Sequence, residues 1–305
     1  MPRTRAKDAG GGLAIEGFTR RFGDIVAVDG LDLTVGRGEI VGLVGRNGAG
    51  KTTTMRAVMG ILAPDEGSIT WDGEPIAHAH RDRFGYMPEE RGLYPQMRLL
   101  DQVAYFGTLR GLSRSDAHAR AAEWLDRLGL AGREADKITA LSHGNQQRAQ
   151  LAVTLVHDPD LLVLDEPFSG LDPAGVDELG RTLASRATSG TAVLFSSHQL
   201  DLVERMCHRV VIVDAGRVLA AGTVDELRDR FPRRLRVEVA APPAWASNVR
   251  GATVVEQDDD GVVLVLDEGT SPQTVLDAAT AAGPLLHFGF EDESLSDMYL
   301  EMVNR

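Results

Sequence analysis

Eight residues, Gly45 to Thr52, read GRNGAGKT. Glycines at 45, 48 and 50 let a backbone fold closely around an anion, with the amides of Asn47 to Thr53 turned inward. A helix opening at Lys51 would add its N-terminal dipole. Lys51 could reach the β and γ phosphates of a nucleotide, and the Thr52 hydroxyl could ligate Mg²⁺. The context suits this chemistry. The preceding Glu39 to Val44 (EIVGLV) is a short apolar run that predicts a buried strand. Met55, Val58, Met59 and Leu62 follow at helical spacing, and Pro64 comes just after them.

A second pattern, Leu161 to Pro167 (LLVLDEP), puts four apolar residues before two acids. The run predicts an interior strand, and ligands gather at the C-terminal edge of such strands in open α/β sheets. Asp165 would hold Mg²⁺, and Glu166 could polarise an attacking water as general base. The alternative is a pair of acids that caps the next helix. Together the two patterns imply nucleoside triphosphate hydrolysis.

Two further motifs narrow the reading: LSHGNQQR from Leu141 to Arg148, and LFSSH ending at His198. With the phosphate loop, the acidic strand and Ser169 to Asp172 (SGLD), they resemble in type and order the ABC ATPase superfamily, whose signature reads LSGGQ-x-QR. The resemblance spans about residues 13–230. It implies that Phe22 stacks on adenine and that Gly45, Asn47, Gly48, Ala49, Gly50, Lys51, Thr52 and Thr53 cradle the phosphates. It implies that Ser142, Gly144 and Asp172 serve the ATP held by a facing subunit. Glu166 and His198 become the catalytic pair, His198 contacting the γ-phosphate. Thr52, Asp165 and Glu89 become the Mg²⁺ or water contacts. For Phe22 a core role is the alternative.

Three positions depart from the superfamily pattern. His143 replaces a glycine and Asn145 a glutamine of the signature, while Glu89, in YMPEERGLY, stands where a glutamine is usual. The expectation for His143 is that only its backbone N–H is used. These features are similar to the sodium- and drug-extruding branch of ABC exporters, which has PEERGLY, a signature such as LSKGNQQ, and a small extra domain whose closing helix resembles LSDMYLEMV. The resemblance implies an ATP-hydrolysing subunit of an exporter, a multispanning permease as partner and a second ATP-binding subunit, at the cytoplasmic face of the membrane. Glu89 to Leu112 is the expected docking region, with Tyr94, Met97 and Tyr105 as contacts or core residues. An importer subunit or a non-transport ABC ATPase is the alternative.

The elements that would position these residues alternate between strand and helix, which predicts an α/β fold of the P-loop NTPase type. Strands are expected at 13–18, 25–35, 192–195, 210–213 and 217–220, a hairpin at 67–76 turning at Asp72-Gly73, and helices at 99–109 and 117–128. A helical subdomain is assigned to 98–150 and the ATP-binding domain to 13–232. Beyond Phe231-Pro232 a small α+β domain, 233–305, is expected, with strands at 234–239, 262–266 and 285–290 and helices at 273–282 and 294–304. Residues 1–12 are expected to be a flexible tail.

The chain has 305 residues, 45 acids against 32 Lys and Arg, and a formal net charge of −13, which argues against a nucleic-acid partner. Its one cysteine, Cys207, excludes an internal disulfide and is expected to pack as a small apolar side chain. Trp71, Trp124 and Trp245 are expected in packing roles. No stretch approaches the roughly 18 apolar residues of a membrane span.

Overall fold

The computed structural model describes residues 11–303 except Asp259, Glu268 and Asp292. Most of the expected tail and the end of the last helix lie outside these residues. Gly12, placed in the tail by sequence, instead opens the first strand, its N–H donating to Asp72 Oδ1 at 2.7 Å. The chain divides into two compact units, one up to Thr223 and one from Val224. The division falls earlier than the change of texture at Phe231-Pro232, because the helix 224–228 packs within the second unit.

The first unit opens with β1 (Gly12–Phe22) and β2 (Ile25–Gly36), paired antiparallel about the turn Gly23-Asp24. Then come β3 (Ile40–Val44), α1 (Lys51–Val58), β4 (Glu66–Trp71), β5 (Glu74–Pro75), α2 (His78–Arg81) and β6 (Phe84–Met87). Helices α3 (Leu99–Leu109), α4 (Arg114–Arg127) and α5 (His143–Leu155) form the helical part. The unit closes with β7 (Leu161–Leu164), α6 (Pro173–Thr188), β8 (Ala192–Ser197), α7 (Leu200–Met206), β9 (Arg209–Asp214) and β10 (Arg217–Gly222).

Two sheets result. β2-β1-β4-β5 is antiparallel, and β10-β9-β3-β8-β7-β6 is parallel except for its β9–β10 edge. All five residues of β3, all four of β7 and all six of β8 are buried, as expected of interior strands covered on both faces. One apolar core joins the sheets, with Phe18, Val28 and Trp71 meeting Leu43, Phe84, Val163 and Leu194. Burying each such side chain stabilises by roughly 1.5–3 kcal/mol. Glycine at Gly42 lets α7 approach closely: a Cβ there would lie 2.7 Å from Val203 Cγ1 and 2.8 Å from Cys207 Sγ. Cys207 is packed there, and burial pushes its thiol pKa upward.

The second unit contains α8 (Val224–Arg228), β11 (Arg234–Val239), β12 (Ala252–Gln257), β13 (Val262–Leu266), α9 (Pro272–Ala282), β14 (Leu285–Glu291) and α10 (Leu295–Val303). Its antiparallel sheet runs β12-β13-β11-β14. Alternation in β11 buries Leu235, Val237 and Val239 with Val275 and Ala279 of α9. Arg234 and Arg236, between them, pair with Glu256, Glu238 and Asp258.

Candidate active site

Parallel pairing brings the C-terminal ends of β3, β7, β8 and β6 to one edge. The loop from Gly45 leaves β3, Asp165-Glu166 leaves β7, His198 leaves β8, and Pro88-Glu89 leaves β6. The motifs read separately in the sequence therefore meet where an open α/β sheet binds ligands.

The loop 45–50 is held open by its glycines. Gly48 and Gly50 have φ of +83° and +100°, and a Cβ on Gly50 would lie 2.7 Å from Ala27 O. Gly50 caps α1, leaving the first-turn N–H groups free for an anion. Lys51 is buried, and its ammonium donates to Gly45 O at 2.6 Å and Arg46 O at 3.2 Å. The cation thus curls back along its own loop. Thr52 and Thr53 are half-buried in the first turn. Phe22 is 45% exposed, which sets aside the core alternative, and the Arg20 guanidinium lies 5.0 Å from its ring centroid.

At the end of β7 the two acids differ. Asp165 is 1% exposed; its Oδ1 accepts from Ser196 Oγ at 2.6 Å, and its Oδ2 is buried without a hydrogen-bond partner. Ser196, wholly buried in β8, also accepts the Glu166 N–H at 2.9 Å. One hydroxyl therefore fixes both acids. Glu166 sits at φ +50°, rare for a residue with a side chain and a form of local strain common at functional sites. Its Oε2 accepts from His198 Nδ1 at 2.9 Å, which requires the proton on Nδ1. The imidazole is largely exposed, so this pair reaches solvent from a buried carboxylate. Burial, reinforced by the Asp165 charge, raises the pKa of the nearby Tyr86 phenol.

Helix α5 braces the edge. Gln147 Nε2 donates to Pro167 O at 3.0 Å, and Gln150 Nε2 donates to Pro88 O at 2.8 Å. Glu89 itself is exposed just beyond β6. Ser142 caps α5 by accepting the Asn145 N–H at 3.4 Å, and Asp172 caps α6 by accepting the Gly175 N–H at 2.9 Å. Ser142 and Asp172 are exposed and Gly144 is half-exposed. The first turn of α5 thus opens to solvent. His143, expected to be an idle side chain, is engaged: its ring meets Arg91 and lies against Gly170.

Sequence reasoning missed Ser196, Gln147, Gln150 and Arg91. The pattern signals apolar period and motif, whereas the tasks of these four come from cross-strand register and helix packing. The SS before His198 marked the right spot without showing which serine turns inward.

The family model described as ABC transporter matches residues 28–169, and one described as ATP-binding protein DrrA1-3-like, C-terminal domain, matches 222–303. YhaQ of Bacillus subtilis (strain 168), an ABC transporter ATP-binding protein, is 37% identical over 95% of this chain and 98% of its own length. The chain belongs to the ABC transporter ATP-binding proteins. This ATP-binding subunit is also 39% identical, over 71% of its length and 69% of the relative's, to the daunorubicin resistance ATP-binding protein DrrA3 of Streptomyces coeruleorubidus. It is 33% identical to the Nod factor export ATP-binding protein I of Ralstonia nicotianae (strain ATCC BAA-1114 / GMI1000), over 96% of this chain and 94% of that protein. A solved ATP-binding subunit of an ABC transporter superposes with a TM-score of 0.68 and 31% identity over 72% of this chain and 93% of that one. As an ABC subunit, the protein is an ATP hydrolase coupled to transport, and subunits of this kind pair and work with membrane permeases. No helix among the described residues is long and apolar enough to cross a membrane.

Proposed function

We propose that this ABC subunit powers an exporter, hydrolysing ATP between two facing copies or close relatives at the cytoplasmic face of the membrane. The observation that carries the reading is the gathering of Lys51, Asp165, Glu166 and His198 at one sheet edge, while the Ser142 turn opens to solvent. Each nucleotide then lies between the phosphate loop of one subunit and Ser142, Gly144 and Asp172 of the other. Phe22 stacks on the adenine. The amides of Asn47 to Thr53 hold the phosphates, and Lys51 exchanges its two backbone carbonyls for phosphate oxygens.

The residues present fit Mg²⁺. Asp165 keeps a buried carboxylate oxygen unpaired, and Thr52 lies in the first turn of α1. Among the described residues no group of three or more His, Cys, Asp or Glu is assembled for a metal. That suits an ion that takes one or two protein ligands and completes its shell with phosphates and water. Thr52 and Asp165 would hold it, with Glu89 as a further contact, and it would neutralise charge on the β and γ phosphates. Glu166 accepts the proton of the attacking water, while His198 holds the carboxylate and reaches the γ-phosphate.

The names of the relatives favour export: a drug-resistance protein and a Nod factor exporter are among them. The membrane partner docks beside Tyr94 and Tyr105, exposed aromatics whose rings are 6.2 Å apart, with half-buried Met97 nearby. Recovery of the tagged chain from its native membrane should bring a multispanning protein in matching amount. Deleting its gene should raise sensitivity to at least one of a panel of amphipathic antibiotics. Loss of nutrient uptake with unchanged drug sensitivity would favour an importer instead.

A further inference from the structure

His143 opens α5, with Ser142 before it and Gly144 after it. Its ring is exposed to solvent yet held on two sides. Nε2 meets Nη2 of Arg91, and Nη1 of the same guanidinium donates to Gln146 Oε1 at 3.3 Å. Residues 143 and 146 share one helix face, so a single arginine spans the first turn. Gln146 also donates its Nε2 to Ile138 O at 3.1 Å and Leu141 O at 3.2 Å, fixing the chain that leads into the turn. Opposite, Gly170 stands at φ +74°, and a Cβ there would lie 2.8 Å from His143 Nε2.

The arginine is placed against its electrostatic preference. A cation at a helix N-terminus opposes the macrodipole. Burial lowers the pKa of the Arg91 guanidinium, and no carboxylate among the described residues pairs with it. What holds it is the pair of acceptors on α5. A guanidinium only donates, so His143 Nε2 must accept; the ring is then neutral, with its hydrogen on Nδ1.

We infer that His143 is a positioning residue. Its imidazole, bridged through Arg91 to the segment that follows β6, sets the Ser142-Gly144 turn for the nucleotide of the facing subunit. This rests on the function proposed above. It gives the departure from glycine a task, and it links the partner-docking segment to the turn through one side chain. Movement of Arg91, three residues before Tyr94, is thereby felt at Ser142.

Two measurements on the full chain test this. The first is nitrogen-15 NMR of the histidine rings, with the His143→Gln spectrum assigning the signal. At neutral pH the parent should show His143 with hydrogen on Nδ1 alone, and Arg91→Met should release it into a mixture of tautomers. A mixture already present in the parent, or a signal indifferent to Arg91→Met, would overturn the bridge. The second is ATP turnover beside nucleotide affinity of the single subunit. His143→Leu keeps bulk without an acceptor and should lower kcat about tenfold, the scale of one charge-assisted hydrogen bond. Affinity of the single subunit should stay unchanged, because the turn serves the facing site. His143→Gln, which restores an acceptor, should recover turnover to within about threefold, and Arg91→Met should add nothing to His143→Leu. Full turnover in His143→Leu, or additive losses, would refute the positioning role. If Glu166→Gln left turnover intact, the proposed function would fall while the NMR result still judged the bridge.

Discussion

Replacing Ser196 with alanine should damage this protein out of proportion to the one oxygen removed. The hydroxyl is wholly buried, donates to Asp165 Oδ1 at 2.6 Å, and accepts the Glu166 N–H at 2.9 Å. Alanine leaves a carboxylate oxygen and a backbone N–H without partners in a place water does not reach. Each stranded group costs about 1–3 kcal/mol, and the charged one lies at the upper end. Asp165 Oδ2 already lacks a partner, so nothing on the carboxylate compensates. With about 3 kcal/mol for the charged oxygen and about 1–3 kcal/mol for the N–H, the sum is a loss of about 4–6 kcal/mol, a large share of the 5–15 kcal/mol that typical domains possess. Urea unfolding of the two-unit chain, followed by a probe in the first unit, measures it as a lower midpoint. Ser197→Ala is the control. Among the described residues that hydroxyl has one partner, the N–H of exposed Gln199, which it accepts at 3.0 Å, so its loss should cost about 1 kcal/mol. A Ser196→Ala midpoint no lower than that of Ser197→Ala would refute the claim that this hydroxyl organises the acids.

Lys51→Ala should abolish or severely weaken ATP binding in a nucleotide titration, because Lys51 is the buried cation of the loop; unchanged affinity would remove the loop from the account. Stability should also carry a mark of His157, whose pKa burial lowers from 6.5 to about 4. A histidine kept neutral in the fold and protonated more readily when unfolded stabilises above pH 6.5, and that stability is lost as pH falls from 6.5 toward 4. The loss is at most about 3 kcal/mol. It should appear as the difference between the parent and a His157→Gln variant in denaturant unfolding at pH 7 and pH 4.5, and equal pH slopes would count against it.

How much of this could be read from the sequence varied with what each residue depends on. LLVL before Asp165 marks an interior strand because both faces of β7 are covered, a condition that leaves four apolar residues in a row. Arg234 to Val239 alternates because only one face of β11 meets α9, and the pattern located that strand to the residue. β6 escapes notice: four residues, one a glycine, are too few for a period, and its place comes from pairing with β7. α6 does carry a helix-start signal, Asp172-Pro173, but it overlaps the SGLD motif. β12, with its last three residues exposed, carries too little apolar alternation to announce itself. At the site, local motifs placed Lys51, Asp165, Glu166 and His198. Ser196 and Arg91 could not be found that way, because each acts across a distance in sequence, on Asp165 and on His143, that only the folded chain closes.

The central claim is that Glu166 activates the water for hydrolysis while other groups bind the nucleotide. Glu166→Gln tests it most directly. The amide keeps the shape and can still meet His198, but it cannot accept the proton. A general base contributes about 10²–10⁴-fold, so turnover should fall by that factor while nucleotide affinity holds. With hydrolysis blocked, size-exclusion chromatography in ATP and Mg²⁺ should show the variant as a nucleotide-dependent dimer and the parent mostly as a monomer. A variant that hydrolyses ATP at near the parental rate, or that binds it poorly and never pairs, would contradict the account and shift attention to the exposed carboxylate of Glu89.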